Sequence, residues 1–173
     1  MKRSVKLRLT LFIIVIVISL ASVGCRSKEK VQLCDGFVSR ESVGDSRRTI
    51  ESAGKDRQWQ EESKGTSKDD KRPPYKFVIL SGPFTLKGTD GKLKLTFYNN
   101  QLMSTEFTTR KGQEYLAALS REKREVPNGP RQEIEIAPNT RLLYEVDPGG
   151  VFRFICYDRD LLEEWEQWIA ENA

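Results

Sequence analysis

The chain has 173 residues, 31% of them charged, with a formal net charge of +4 and no histidine. Without imidazole the commonest general base and metal ligand is missing, which argues against histidine-dependent catalysis and against a zinc centre. The whole net charge comes from Lys2, Arg3, Lys6 and Arg8, because residues 25–173 carry 25 basic and 25 acidic side chains. The positive charge is therefore no argument for binding nucleic acid.

The N-terminal stretch has the pattern of an export signal. Its four cations precede an apolar run over residues 9–23, and Gly24 and Cys25 follow. A basic segment, a short apolar segment and small residues at a cleavage site form the secretory pattern. The run is shorter than the roughly 20 residues that a membrane-spanning helix needs. We predict a signal peptide over residues 1–24. An uncleaved helical anchor and a soluble secreted protein are the alternatives.

Residues 22–25, with Val23, Gly24 and Cys25, resemble the lipobox of bacterial lipoproteins, although Ser22 stands where that pattern usually has Leu, Val or Ile. The resemblance implies that Cys25 receives palmitate-type acyl chains and is anchored in the bacterial cell envelope. Arg26, which stands where an Asp would favour retention at the inner membrane, implies the outer membrane by the same resemblance.

The other two cysteines, Cys34 and Cys156, suit one disulfide in an oxidising compartment once Cys25 carries lipid. Such a bond would close a loop of about 120 residues and add on the order of 4–5 kcal/mol of stability. Two buried thiols are the alternative.

The segment after the signal is polar. It is rich in Ser, Lys, Arg, Glu, Asp and Gly, and between residues 44 and 72 its only large apolar residues are Ile50 and Trp59. So little apolar surface does not offset the entropy of ordering a chain. We therefore predict a largely disordered tether over residues 25–72, with a segment that folds on a partner around Trp59 as the alternative. Residues 31–38 are more apolar and are expected to form a short strand or to lie on the domain.

Residues 73–173 are predicted to form a globular α+β domain. Alternation of apolar and polar residues, with turn residues between the runs, predicts strands at 75–80, 84–88, 92–97, 102–108, 133–137, 141–146 and 151–157. Helical spacing predicts a short helix over 112–124 and a C-terminal helix over 160–171. The expected fold is an antiparallel sheet of about six strands, with the short helix and with the C-terminal helix packed on one face.

No motif points to catalytic, cofactor-binding or metal-binding residues. Paired carboxylates occur at Asp158 with Asp160 and at Glu163 with Glu164, but helix capping explains them, with Asp160 as the expected N-cap. The turns at residues 99–101, 127–130 and 148–150 are candidates for partner contact, with simple turn chemistry as the alternative.

Three functions follow from this sequence. The first is a non-catalytic domain that binds an envelope protein or polymer. The second is an inhibitor or immunity-type protein whose loop blocks a partner enzyme. The third is a hydrolase that uses carboxylates.

Overall fold

Two antiparallel sheets and three helices make up the computed structural model, which describes residues 30–67, 70–121 and 129–172. The strands are β1 (Gln32–Cys34), β2 (Phe37–Val38), β3 (Gln60–Gly65), β4 (Lys76–Leu86), β5 (Thr89–Tyr98), β6 (Gln101–Thr109), β7 (Arg131–Ala137), β8 (Thr140–Val146) and β9 (Phe152–Asp158). The helices are α1 (Val43–Ser52), α2 (Gly112–Arg121) and α3 (Arg159–Asn172). β1 and β2 form a hairpin, and the other strands form one antiparallel sheet in the order β3-β4-β5-β6-β9-β8-β7. The predicted signal peptide and Cys25 lie outside the described residues.

The α+β class and the antiparallel sheet are confirmed, with seven strands in the main sheet. The alternation in β5 has the predicted effect, because Leu93, Leu95 and Phe97 are fully buried on one face. We call this the inner face. Leu80 of β4 and Thr105 of β6 are the register partners of Leu95. The N-terminal hairpin, α1 and α2 cover the inner face and close the main core.

β4 replaces two strands that the sequence predicted separately. The first of these strands was expected to end at Ser81, Gly82 and Pro83, but β4 runs through them from Lys76 to Leu86. Gly82 leaves room for the Trp59 ring, whose Cγ would lie 2.6 Å from a Cβ added there. β3 begins opposite Ser81, so the missing N–H of Pro83 removes no bond to that neighbour.

The predicted disordered tether is wrong for residues 43–65, whereas residues 31–38 contain short strands and lie on the domain, as expected. Residues 31–65 form the hairpin, α1 and β3, and Leu33, Phe37 and Ile50 are buried in the main core. α1 begins with a complete capping box, in which Ser42 and Asp45 exchange bonds between side chain and backbone. β3 is polar and exposed along its whole length, and its pairing with β4 holds it in the sheet. The folded unit therefore begins near residue 31, not at residue 73.

α3 packs on the outer face of the sheet, as predicted for the C-terminal helix. Leu161 is fully buried beside Tyr98 and Met103, and Trp165 packs against them. The rings of Trp165 and Trp168 are stacked, with centroids 5.6 Å apart. Together with Tyr75 and Phe77, which their rings contact, Tyr98, Trp165 and Trp168 form what we call the aromatic cluster.

The two ends of the sheet differ in what they carry. The proximal end, which receives the chain from the N-terminus, holds the β5–β6 and β7–β8 turns and the start of α3. There Arg40 N–H donates to the Leu102 carbonyl, and Ser39 N–H donates to the Val31 carbonyl. The distal end holds the β4–β5 and β8–β9 turns and the start of α2. The hairpin spans both ends, since Asp35 at its tip forms an ion pair with Lys87.

Gly112, the first residue of α2, lies against the ring of Phe152. A Cβ added there would lie 1.9 Å from Phe152 Cγ, so Gly112→Ala should destabilise the fold by about 1–3 kcal/mol through overpacking. Gly44, in the first turn of α1, is the matched control, because its added Cβ meets nothing closer than 3.7 Å. Gly44→Ala should be neutral or stabilising by up to about 1 kcal/mol. Urea unfolding measures both; equal effects would contradict the close packing of Gly112.

Candidate functional site

The paired carboxylates Asp158 and Asp160 surround the guanidinium of Arg40. Asp158 is 4% exposed; its Oδ1 accepts a 3.1 Å hydrogen bond from Arg40 Nη2, and its Oδ2 lies 2.9 Å from Arg40 Nε. Asp160 Oδ2 lies 3.7 Å from Arg40 Nη2. The ion pair thus joins the N-terminal segment to the start of α3.

Asp158, rather than the predicted Asp160, caps α3. Its Oδ1 accepts a hydrogen bond of 3.1 Å from the backbone N–H of Leu161, three residues on. Glu163 lies on the exposed side of α3 and pairs with Arg159, and Glu164 is exposed beside it. These four carboxylates have structural partners or face solvent on a helix. The arrangement expected of a carboxylate hydrolase, with two acids facing one cleft, is not the one that Asp158 and Asp160 adopt.

Cys34 and Cys156 line one small cavity in the main core, of about 30 Å³. No disulfide joins them, and both are thiols. They are nevertheless close, because Thr105, which hydrogen-bonds the Cys34 thiol, is the direct register partner of Cys156. Cys156 shares the inner face with Phe154. The structure thus shows the arrangement of two thiols inside the domain, and the disulfide stays a prediction.

The two thiols should differ in reactivity. Burial raises the pKa of Cys34 above its usual range, and the neighbouring Cys156 raises it further. Cys156 is only partly buried. Because the thiolate is the nucleophile, iodoacetamide should modify Cys156 well before Cys34 in the native protein, and both at similar rates in urea. Peptide mass spectrometry after timed quenching measures this order. A native Cys34 that reacts as fast as Cys156 would contradict the buried position, and an unreactive pair recovered only after reduction would reveal a disulfide.

The β5–β6 turn, which the sequence suggested for partner contact, has a structural role. Asn99 and Asn100 both adopt positive φ, at 47° and 64°. Asn99 Oδ1 accepts a 2.9 Å hydrogen bond from Lys76 N–H, and Asn100 Oδ1 accepts one of 3.2 Å from Val43 N–H. Asparagine tolerates this conformation while its side chain bonds nearby backbone. These contacts agree with turn chemistry and give no sign of a binding role.

The structure brings the other two candidate turns together at the distal end. Pro130 and the β8–β9 turn border an open groove with a volume of about 290 Å³, whereas residues 127 and 128 lie outside the described part. Val146 and Val151 supply its apolar lining, and Arg131, Glu145, Asp147 and Arg153 supply its polar one. Asp147 Oδ1 accepts a 2.8 Å hydrogen bond from Val151 N–H, which fixes the turn. We call this feature the distal groove.

Two arginines of the distal groove share one carboxylate. Glu145 Oε1 lies 3.3 Å from Arg131 Nε, and Glu145 Oε2 lies 3.3 Å from Arg153 Nη1. Arg153 Nε also lies 3.2 Å from Glu106, which pairs with Lys94. Side chains of alternating charge therefore cross five neighbouring strands. The side chains of Arg131 and Arg153 remain 73% and 50% exposed, and each guanidinium has more donors than its carboxylate partners occupy.

Sequence reasoning missed Arg40, Arg131 and Arg153. Arg40 lies in the segment predicted to be disordered, and no local pattern links it to Asp158. Arg131 and Arg153 could have been noticed in the sequence, because each lies in a predicted strand or next to one, at a polar position of the alternating pattern. The register of β7, β8 and β9 is needed to place them around Glu145.

Compared with protein families, with curated proteins and with solved structures, the chain matches no family model, no curated protein and no solved structure. Within residues 30–67, 70–121 and 129–172, no three His, Cys, Asp or Glu side chains are grouped so that they could hold a metal ion. None of the helices in the described part combines the length and the apolar character that a membrane crossing requires.

Proposed function

We propose that the protein is a bacterial lipoprotein, anchored in the cell envelope through Cys25, whose folded domain binds another envelope component without catalysis. The secretory pattern of residues 1–24 and the lipobox resemblance at Cys25 support the anchor. The distal groove supports the binding role, because it combines an apolar lining with exposed guanidinium donors. The groove lining has two basic side chains, Arg131 and Arg153, and two acidic ones, Glu145 and Asp147, which favours a polar partner over a strongly charged one.

The groove suits a partner that offers oxygen acceptors. Arginine presents five N–H donors in a planar fork, and Glu145 occupies only part of the set on Arg131 and Arg153. Carboxylate or backbone carbonyl oxygens of an envelope protein, or the oxygens of an envelope polymer, match these donors. Val146 and Val151 would lose exposed apolar surface on contact, which adds a hydrophobic contribution.

A photoreactive amino acid tests the groove directly. When this amino acid replaces Val151 in the full-length protein in its host, illumination should give a discrete crosslinked adduct. The adduct should disappear when Arg131→Ala and Arg153→Ala are introduced together. The same amino acid at Ser52, an exposed position at the end of α1, is the control. Adducts of the same size from both positions, or none from Val151, would count against the groove as the binding site.

The anchor has its own test. Cys25→Ser removes the thiol that would carry lipid, so the variant should not incorporate labelled palmitate. The wild-type chain should stay in the membrane fraction and incorporate the label, and mass spectrometry of its mature N-terminus should find acyl groups on Cys25. A Cys25→Ser protein that still incorporates palmitate would contradict lipid attachment at Cys25, and a wild-type protein that keeps residues 1–24 would favour the uncleaved helical anchor instead.

The inhibitor alternative has less support. A loop that blocks an enzyme projects from its domain, whereas the described turns are short, such as Lys87 with Gly88 between β4 and β5 and Asn99 with Asn100 between β5 and β6. The connections over residues 66–75 and 122–130 are longer, and residues 68, 69 and 122–128 of them lie outside the described part.

A further inference from the structure

The chain leaves little distance between the proposed anchor and the folded domain. Lys30 is the first described residue, and Val31 already accepts a hydrogen bond from Ser39. Only five residue steps separate Lys30 from Cys25, so their Cα atoms are at most about 18 Å apart even in a fully extended chain. A lipid on Cys25 therefore holds the proximal end of the sheet close to the bilayer surface.

The proximal end also carries the side chains that suit a lipid–water interface. Tyr75, Trp165 and Trp168 of the aromatic cluster are only partly buried. They lie at this end, because Trp165 contacts Tyr98, the last residue of β5, and Tyr75 directly precedes β4. Tryptophan and tyrosine combine an apolar ring with a polar group and concentrate at membrane interfaces.

An exposed apolar side chain continues this surface. Ile169, at 38% exposure, stands out as the exposed large apolar residue of the described part, and it lies on the same side of α3 as Trp165, four residues earlier. Arg72 lies over the Trp168 ring, with its Cζ 5.7 Å from the ring centroid, and its Nη2 lies 2.7 Å from Asp70 Oδ2, so an ion pair borders the aromatic surface. The aromatic and aliphatic groups, rather than a free cation, suit this surface to the boundary between headgroups and acyl chains.

We infer that the proximal end, with the partly exposed side of the aromatic cluster and Ile169, faces the lipid bilayer that holds Cys25, and that the distal groove points away from it. This inference rests on the proposed lipid anchor. β8 runs from Thr140 at the proximal end to Val146 at the groove, and six residue steps of strand span about 20 Å. The groove is thereby presented to partners beyond the headgroups.

The three tryptophans are built-in probes of this orientation. Trp59 lies against Gly82, six residues along β4 from Lys76, and therefore about 20 Å from the proximal end. Full-length lipidated protein is reconstituted into liposomes with and without a lipid that carries a nitroxide quencher near its headgroup. Trp59→Phe reports Trp165 and Trp168, and the double variant Trp165→Phe with Trp168→Phe reports Trp59.

The emission of Trp59→Phe should be quenched several-fold more strongly than that of the double variant. If the double variant does not fold, wild type compared with Trp59→Phe gives the same information, because removing Trp59 should remove only unquenched emission. Wild-type protein that does not float with liposomes overturns the anchor and this inference with it. Protein that floats but has Trp59 quenched as strongly as the helix tryptophans overturns the orientation alone.

Discussion

Replacing Phe37 by alanine is expected to lower the free energy of unfolding by about 3–5 kcal/mol. Phe37 has no exposed surface, and its ring meets that of Phe84 edge-on with centroids 5.6 Å apart. Truncation removes this burial and leaves a cavity between the hairpin and the inner face, which the surrounding backbone cannot fully close. Equilibrium denaturation in urea, followed by circular dichroism, measures the loss.

Ile169→Ala is the control for this change. It also removes an apolar side chain, but from a position that is 38% exposed, so the expected loss is below about 1 kcal/mol. A Phe37→Ala protein as stable as Ile169→Ala would mean that the N-terminal hairpin does not pack into the core through Phe37.

Arg40→Ala should cost a similar amount, about 3–5 kcal/mol, for an electrostatic reason. The change leaves Asp158 buried at 4% exposure without its cation, and burying an unpaired carboxylate is expensive. Alanine keeps a Cβ at the positive φ of 63°, so the backbone strain of the position is the same in both proteins. Thermal or urea unfolding at neutral pH measures the difference.

Arg159→Ala removes a guanidinium from the same end of the sheet and serves as the matched control. Arg159 is 45% exposed and pairs with Glu163 one turn along α3, a type of contact worth about 0.3–0.5 kcal/mol. Asp158→Asn is a second comparison, since asparagine can still cap α3 but removes the charge that Arg40 faces. Equal stability of Arg40→Ala and Arg159→Ala would show that the buried pair contributes no more than a surface contact.

The sheet was predictable because alternation is a local property. Leu93, Leu95 and Phe97 indicate a strand with one buried face, and this indication does not depend on which strands pair with it. The break expected in β4 failed for a reason that lies elsewhere in the chain: the Trp59 ring occupies the space above Gly82. Sequence patterns show which residues seek burial, but they do not show which distant side chain fills a gap.

Composition gave the wrong prediction for the N-terminal segment because it averages over many residues and hides the few apolar ones. Residues 44–72 are polar as a whole, yet Ile50 and Trp59 are placed where α1 and β3 meet the core. β3 itself contributes backbone hydrogen bonds and no buried side chain. A few well-placed apolar residues and a pairing edge on β4 are enough to order the segment, and neither property changes the average.

The candidate site was predictable only as loops. The turn-forming residues at 127–130 and 148–150 made these loops candidates for partner contact. The groove between Pro130 and Val151 exists because β7 and β9 flank β8 in the sheet. Capping was correctly expected at this helix start, but the predicted N-cap Asp160 was wrong, because Asp158 accepts the hydrogen bond from Leu161 N–H. The missing partner was Arg40, 118 residues away in the sequence.

That separation affects how the chain acquires its structure. The contact between Arg40 and Asp158 closes almost the whole folded length, and β6 must find β9 across the α2 segment and two further strands. Contacts between distant parts of a sequence form slowly, because the entropy of closing a long loop is lost before the contact stabilises it. During synthesis, a chain whose last strand has not yet emerged lacks both β9 and Asp158. If the chain is exported as we propose, such late closure would keep it unfolded during passage through a translocation channel, and folding would finish on the far side.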